Sequence, residues 1–497
     1  MFKTTNRLRR PAKTEELTTL LFLFFSAAAM ILAAGRAFSS LGGSIRESLF
    51  WNHAYSDHFM DLFNSMRESR DLSWVYQRNV LYPPLSVLLT YLLSRLLPAN
   101  VINIPFRKRY SLQLNANADT LWLILVIFSV LLFAIAAERY LRRAKLSGLR
   151  YAAVFFLTVS FPMVYCMERG NLSLPAMALC AVFVFCRNDE NKHIRELSYI
   201  CLALAAGLKL FPAVLGMLLL YDRKFKAAAR TLLYGVAAIL LPYLLILLLT
   251  PKDGGIAKIV ADRSSAMVSA QSPALGRTAL SLLTDSVNPD GSIFRLFENL
   301  FSRIEKTRDF AFDSTSFANL VYFLAAQKLF TPETAKIVAM TVFCFTELCG
   351  AALGFFSRRE WQRVFFAVFL ILNIHPVAMH YTLIYLLLPL VVYLAETARE
   401  DRRAIDVPYL LLFCIQFVFL PFYTDGAIPT MRALFAFYLH VETPTSVNKL
   451  LSAPAFYLLF LAAAADVLIS RIAAGRKKRR ENAPEAADPA VPAPASL

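Results

Sequence analysis

The sequence has few charged residues for its length, and those it has are unbalanced. Asp, Glu, Lys and Arg make up 18% of the 497 residues, against roughly 25% in soluble domains, while 57% of the chain is hydrophobic and the net charge is +17. A nucleic-acid-binding protein would cluster such a surplus on one basic surface. Here the charges fall in short runs between long apolar segments. The composition therefore excludes a soluble protein with a nucleic-acid partner and indicates an integral membrane protein.

Several motifs that carry chemistry are also missing. The sequence contains no P-loop, no Gly-x-Gly-x-x-Gly and no His-Glu-x-x-His, so neither a nucleotide-driven pump nor a membrane zinc protease is expected. The seven cysteines lie in or at the ends of apolar segments and show no Cys-x-x-Cys pattern, which argues against a disulfide framework or a zinc site. We expect no cofactor, and no metal ligand set with standard spacing is visible.

The long apolar segments predict an all-α polytopic membrane protein. A helix needs about 17–25 mostly apolar residues to cross a bilayer, and eight clear segments plus four shorter candidates give about twelve transmembrane helices between residues 17 and 470. Residues 1–16 then form a cytoplasmic N-terminus. Residues 471–497 form a tail that is first basic and then disordered, because it becomes rich in Ala and Pro.

The positions of Lys and Arg predict the sidedness of the membrane domain. Of the 52 Lys and Arg residues, 29 lie in the short segments 1–16, 139–150, 187–196, 222–230, 357–363, 397–406 and 471–480. Because cytoplasmic loops are enriched in these residues, we expect these segments and both termini to be cytoplasmic, in a bacterial cytoplasmic membrane. Two long loops, about 36–117 and 251–332, then lie outside and carry interfacial helices, one of them at 85–97.

The first outer loop contains an acidic and aromatic segment at residues 53–63. If it is helical, His53, Asp57 and Asp61 fall on one face at i, i+4 spacing, and Phe59, Leu62, Phe63 and Met66 form an apolar stripe on another. His58 lies in the same segment. A partly desolvated carboxylate at the membrane edge could act as a general base on a hydroxyl. An ordinary amphipathic helix with a solvated acidic face explains the same pattern, and both interpretations stay open.

Three further motifs place polar groups at the predicted outer surface. Tyr82-Pro83-Pro84 predicts a stiff, extended turn before a helix. Lys209 interrupts an apolar stretch, where a lone charge costs about 2.5–3.5 kcal/mol, so it either snorkels to the interface or has a partner. A phosphate would suit Lys209 or Arg169, which lies in the tight turn Glu168-Arg169-Gly170-Asn171.

A late outer turn, residues 373–381, carries two of the six histidines, His375 and His380. Either could donate a hydrogen bond to a phosphate or bind a metal ion. Interfacial polar residues without a catalytic role explain them equally well.

In their order along the chain, these motifs resemble a known family. An outer-loop acidic residue, Tyr-Pro-Pro, Gly-Asn before a span, Leu-Lys-Leu-Phe-Pro before a basic loop, and Pro-x-x-x-His-Tyr occur in succession. Over about residues 17–396 the sequence resembles the polytopic C-type membrane glycosyltransferases (GT-C fold), specifically glycosyltransferase family 87, the polyprenol-phosphate-mannose-dependent mannosyltransferases. Two motifs depart from the family pattern: members often have Gly-Gln where Gly170-Asn171 stands, and the late motif here lacks a Trp and a second His.

The resemblance implies an enzyme of the cell envelope, a transferase of class EC 2.4. It would move mannose or another hexose from a polyprenyl-phosphate donor to a hydroxyl of a lipid- or glycan-linked acceptor, with inversion, at the outer face of the membrane. By position Asp57 matches the family's general base. The other site residues that the resemblance or the motifs suggest, all as substrate-binding groups, are Lys209, His380, His375, Arg169, Tyr82, Asp61 and His58.

Two functions of other classes are alternatives. A transporter or flippase for lipid-linked glycans would place charges within several mid-membrane segments, whereas here most charges lie at the ends of the spans. An outer-leaflet polymerase or ligase of lipid-linked glycans would depend on arginines in the long loops, such as Arg263 or Arg277.

Overall fold

The fold is known from a computed structural model, which describes residues 17–38, 59–72, 82–98, 116–144, 146, 148–250, 331–374, 380–398, 405–417 and 447–481. All regular elements within these ranges are helices. Helices suit an apolar chain because lipid offers backbone groups no hydrogen-bond partners, so each helix must pair its own. Of the two long predicted loops, 251–330 lies outside the described residues, whereas 36–117 is described in part.

The α-helices in the described part of the chain are α1 (Leu17–Phe38), α2 (Met60–Ser69), α3 (Pro84–Arg95), α4 (Ala116–Arg143), α5 (Leu149–Thr158), α6 (Phe161–Arg169), α7 (Ser173–Cys186), α8 (Lys192–Leu208), α9 (Met217–Tyr221), α10 (Phe225–Leu249), α11 (Pro332–Phe356), α12 (Glu360–Ile374), α13 (Leu387–Thr397), α14 (Asp406–Phe417) and α15 (Val447–Glu481). Two 3₁₀ segments, Phe211–Gly216 and His380–Leu386, lead directly into α9 and α13. The first long loop therefore does contain helices, α2 and α3.

Four helical segments in the described ranges are long and apolar enough to cross a membrane. They are Asn117–Arg143, Leu149–Arg169, Phe225–Leu249 and Pro454–Gly475. Six further apolar helices have 10–17 residues. The predicted all-helical membrane architecture is thus confirmed, and the total of about twelve spans stays a prediction.

One end of the helical bundle is held together by ion pairs. We call this set the ion-pair rim: Arg139, Arg143, Arg187, Asp189, Asp222, Arg359, Glu360, Arg363, Glu396 and Asp406. At its centre is Arg187, whose side chain is 1% exposed. Its guanidinium lies 3.0 Å from Glu360 and 3.5 Å from Asp222. Because a buried charge is stable only when it is paired, this arginine fixes the ends of three segments against one another.

A second part of the rim caps a helix. Glu396 Oε1 accepts the backbone N–H groups of Glu360 and Trp361, at 2.6 and 3.0 Å, which are among the donors that the first turn of α12 leaves unused. The carboxylate also lies at the positive end of the helix dipole. Arg359 bridges this carboxylate to Asp406, at 3.4 and 2.9 Å, and so links three helix ends.

Asp189 joins the rim from the end of α7. It pairs with Arg143 and, at 3.2 Å, with Arg139, and its own side chain is 3% exposed. Desolvation alone would raise the pKa of Asp189, but the hydrogen bonds from Arg143 and from the backbone of Asn191, together with the arginine charges, outweigh it and lower the pKa. The carboxylate is therefore held in its charged form.

The rim brings together segments that the Lys and Arg bias assigned to one side. Its ion pairs join 139–150, 187–196, 222–230, 357–363 and 397–406. Arg471 adds the segment 471–480, because its guanidinium donates to the carbonyl of Phe356 at 2.7 Å. Six of the seven predicted segments thus meet at one end of the bundle, and 1–16 lies outside the described residues.

Loss of Arg187 should destabilise the fold. Arg187→Ala removes the buried partner of Glu360 and Asp222, which keep their contacts to Tyr140 and Arg363. We expect a loss of about 3 kcal/mol in the free energy of unfolding, the lower end for breaking a buried pair. Arg142→Ala is the control, because Arg142 is 62% exposed and pairs with Glu138 at i, i+4, a contact of about 0.3–0.5 kcal/mol. Thermal unfolding of the detergent-purified proteins measures both. Similar melting temperatures for the two variants would contradict the structural role of Arg187.

Candidate functional site

The turn at residues 168–171 lies at the end of the bundle opposite the rim, since α5 and α6 lead away from the rim. Gly170 ends α6 with φ at +65°, a left-handed conformation that glycine adopts without strain. The N–H groups of Gly170 and Asn171 close the helix on the carbonyls of Met167 and Cys166. The predicted tight turn is therefore confirmed, and it presents Arg169 and Asn171 side by side.

Asp61, in the first turn of α2, binds both of these side chains. Its Oδ1 accepts from Arg169 Nη2 at 2.8 Å and its Oδ2 accepts from Asn171 Nδ2 at 2.6 Å. The Asp61 side chain is 17% exposed and that of Arg169 is 20% exposed, so solvent screens this pair less than a surface pair. The structure thus brings together two predicted site residues, Asp61 and Arg169, that are 108 positions apart.

The chain that leads into α2 is docked on the same turn. The Phe59 N–H donates to the carbonyl of Glu168 at 2.8 Å, and the backbone of Phe59 lies directly against Gly170. Phe59 itself has φ at +54°, which is uncommon for a residue with a side chain. The continuous helical face predicted for Asp57 and Asp61 is therefore interrupted at Phe59.

The apolar stripe of α2 packs as its spacing predicted. Leu62, Phe63 and Met66 are buried. The Phe59 ring packs at 6.0 Å, centroid to centroid, from both Phe63 and Trp122. Trp122 in turn donates from Nε1 to the carbonyl of Met167 at 2.9 Å, and so ties α4 to the same turn.

Lys209 lies where α8 stops. Its backbone is extended, with φ at −144° and ψ at 129°, and the 3₁₀ segment Phe211–Gly216 follows. Ser86 of α3 donates to the carbonyl of Leu208, the last residue of α8. A cation is favoured at this position because the C-terminal end of a helix carries partial negative charge.

The Lys209 ammonium lies over the ring of Tyr82. The distance from Nζ to the ring centroid is 4.4 Å, within the range of a cation–π contact. Pro83 is extended, with ψ at 159°, and α3 begins at Pro84, so the predicted stiff turn is confirmed and holds Tyr82 in place. Desolvation raises the pKa of Tyr82, and the negative charge of Asp61 raises it further, so the hydroxyl keeps its proton and can donate a hydrogen bond.

The late histidine motif approaches the same region through the residue after His380. Tyr381 is buried, and its ring centroid lies 6.3 Å from that of Tyr165 in α6. His380 begins the 3₁₀ segment, but its side chain lies outside what the structure describes, and so do His375, Asp57 and His58.

The structure thus unites four of the predicted site residues: Asp61, Tyr82, Arg169 and Lys209. Sequence reasoning gave no role to Asn171 and placed Phe59 only in the apolar stripe, although Gly170-Asn171 stood out as a motif. Their partners could not be found by spacing, because both contacts join α2 to a turn more than 100 residues away. Within the described ranges no three His, Cys, Asp or Glu side chains form a group that could hold a metal ion.

Substitution of Gly170 should loosen this end of the bundle. In Gly170→Ala the new Cβ would meet backbone atoms of Phe59 at 2.8–3.0 Å, and the left-handed backbone alone costs about 1–2 kcal/mol. We expect a melting temperature clearly below that of the wild type. In the matched control Gly235→Ala the new Cβ meets no atom within 4 Å, and this helical position should gain about 0.5–1 kcal/mol. Equal shifts in both variants would refute the close approach of Phe59.

In a comparison with known proteins, one family matches part of this sequence. The model of glycosyltransferase family 87 matches residues 80–253, a range that includes Tyr82, Arg169, Gly170, Asn171 and Lys209. No curated protein and no solved structure matches the chain. The match spans less than half of the chain. Over residues 80–253 the sequence is similar to glycosyltransferase family 87, which supports the predicted family and indicates a glycosyltransferase.

Proposed function

We propose that the protein transfers mannose or another hexose from a polyprenyl-phosphate donor to a hydroxyl of a lipid- or glycan-linked acceptor. The observation that carries this proposal is the convergence of Lys209, Tyr82, Arg169 and Asp61 at one end of an apolar bundle. Such a site suits a donor whose tail dissolves in the membrane and whose phosphate lies at its surface. We call this end of the bundle, defined by these four residues, the site end.

The donor phosphate needs cationic and hydrogen-bonding partners. Lys209 supplies a compact positive charge on a cation–π contact with Tyr82, and an approaching phosphate offers it a stronger, charge-assisted hydrogen bond. The protonated Tyr82 hydroxyl and the Arg169 guanidinium can add donors. His380 is proposed as a further substrate contact from the family pattern, and His375 and His58 from their place at the predicted outer surface.

The site end is proposed to face the outside. Lys and Arg favour the cytoplasmic side of a membrane, and six of the basic segments meet at the ion-pair rim. The site end is the opposite end of the same helices. This orientation supports a transfer at the outer face, where a lipid-linked sugar rather than a nucleotide sugar is the expected donor.

In the proposed reaction Asp57 is the general base. Its carboxylate takes the proton of the acceptor hydroxyl while the hydroxyl oxygen bonds to the anomeric carbon of the donor sugar. The bond from that carbon to the phosphate oxygen breaks, and the polyprenyl phosphate leaves with the electron pair. A single displacement of this kind inverts the anomeric centre. Asp61 suits this role less, because both of its oxygens already accept hydrogen bonds.

The test is transfer from a radiolabelled polyprenyl-phosphate hexose by the purified protein in liposomes. The wild type should move label to an acceptor glycolipid, and Asp57→Asn should lower kcat by about 10²–10⁴, the usual contribution of a general base, without changing the melting temperature. A transporter would carry the label across the bilayer with its covalent attachment unchanged. Transport of this kind would refute the proposed reaction. Substantial activity of Asp57→Asn would refute the assignment of Asp57 as its base.

Lys209→Ala should weaken donor binding. A hydrogen bond to a charged group contributes about 1.5–3 kcal/mol, so we expect KM for the donor to rise by roughly 10- to 150-fold while KM for the acceptor stays constant. Lys226→Ala is the matched control, because Lys226 is exposed in the first turn of α10, at the rim end. Steady-state kinetics with varied donor concentration measure both. An unchanged donor KM in Lys209→Ala would contradict the phosphate contact.

A further inference from the structure

The carboxylate of Asp61 is held on two sides by the turn at residues 168–171. Arg169 occupies Oδ1 and Asn171 occupies Oδ2. A residue that must accept a proton from a substrate needs an oxygen that the substrate can reach. Two protein donors at 2.8 and 2.6 Å leave Asp61 poorly suited to that task and well suited to anchoring α2.

Asn171 has a fixed orientation in this contact. Its Oδ1 accepts a hydrogen bond from the N–H of Ser173, at the start of α7, at 2.9 Å. Its NH₂ group must therefore point the other way, toward Asp61. The side chain is almost fully buried, with 1% of the residue exposed. Because an amide has one acceptor end and one donor end, the hydrogen bond from the Ser173 N–H and the hydrogen bond to Asp61 support each other.

The anchor holds a short, defined piece of chain. Phe59 is hydrogen-bonded to Glu168 and pressed against Gly170, and Asp61 is bound two residues later. Asp57 precedes Phe59 by two residues, and two residues of chain reach at most about 7 Å. Because the chain is continuous, the anchor at Phe59 and Asp61 restricts the region that Asp57 can occupy.

We propose that Asp61 is a positioning residue, which acts with Asn171 and Arg169 to fix the segment that carries the general base. This inference rests on the proposed function, in which Asp57 is that base. The carboxylate at position 61 is then needed as a hydrogen-bond acceptor, and its charge plays no part in proton transfer. Its partner Asn171 is a second positioning residue of the reaction.

An exchange of the two side chains tests the proposal. In Asp61→Asn the NH₂ group of the new side chain faces the NH₂ group of Asn171. In Asn171→Asp two carboxylates face each other. Each single change therefore breaks the contact. The double variant D61N/N171D restores one donor opposite one acceptor, with the direction of the hydrogen bond reversed. It also keeps an oxygen for the Ser173 N–H and another for Arg169.

The expected result follows from the geometry. Each single variant should lose about 10²-fold in kcat, the effect of a displacement of about 1 Å at a reacting group, with the donor KM unchanged. The double variant should return to within about tenfold of wild-type kcat. Because the double variant has no carboxylate at position 61, its activity would show that residue 61 acts by positioning and not by accepting the proton.

Two measurements complete the design. Melting temperatures show whether the single variants fold. Asn191→Asp is the matched control, since Asn191 caps α8 through the same kind of side-chain oxygen but lies at the rim end, and its kcat should equal that of the wild type.

A double variant that is no more active than Asp61→Asn, whether or not it melts like the wild type, would overturn the proposal and favour Asp61 as the base. Inactive wild-type protein would instead refute the proposed function, so the two failures are distinct.

Discussion

The cost of charge in hydrocarbon determines how this chain is built. An unpaired charge within a membrane costs several kcal/mol, so most charged side chains of the described residues lie at helix ends, where they meet partners or solvent. Arg187 shows the constraint most clearly: it is 1% exposed and in contact with both Glu360 and Asp222. The helices between the two ends can then remain mostly apolar and pack largely by van der Waals contact, with a few hydrogen bonds such as that from Asn373 to Glu347.

The two ends use charge differently. At the ion-pair rim, carboxylates neutralise arginines and cap a helix, as Glu396 does for α12, and the result is a rigid junction of several segments. At the site end, the Asp61–Arg169 pair holds α2, whereas Lys209 rests on an aromatic ring. The site end therefore combines a paired carboxylate with a cation that lies over an aromatic ring.

Local signals in the sequence predicted much of the local structure. The prolines at 83 and 84 gave an extended turn before α3, and Gly170 gave a left-handed turn after α6. The prediction was wrong where tertiary contact overrode a local pattern. The i, i+4 spacing of Asp57 and Asp61 favoured one helical face, but Phe59 takes a left-handed conformation where its backbone meets Gly170.

The sequence by itself determined the membrane class, the family resemblance and the grouping of the basic segments, because run length, residue order and the Lys and Arg bias are properties of the linear chain. Only the tertiary structure decided that Asp61 binds Arg169 and Asn171, and that Lys209 lies over Tyr82. These partners are separated by more than 100 residues. Periodicity describes neighbours on one helix, and the packing of different helices decides which distant side chains meet.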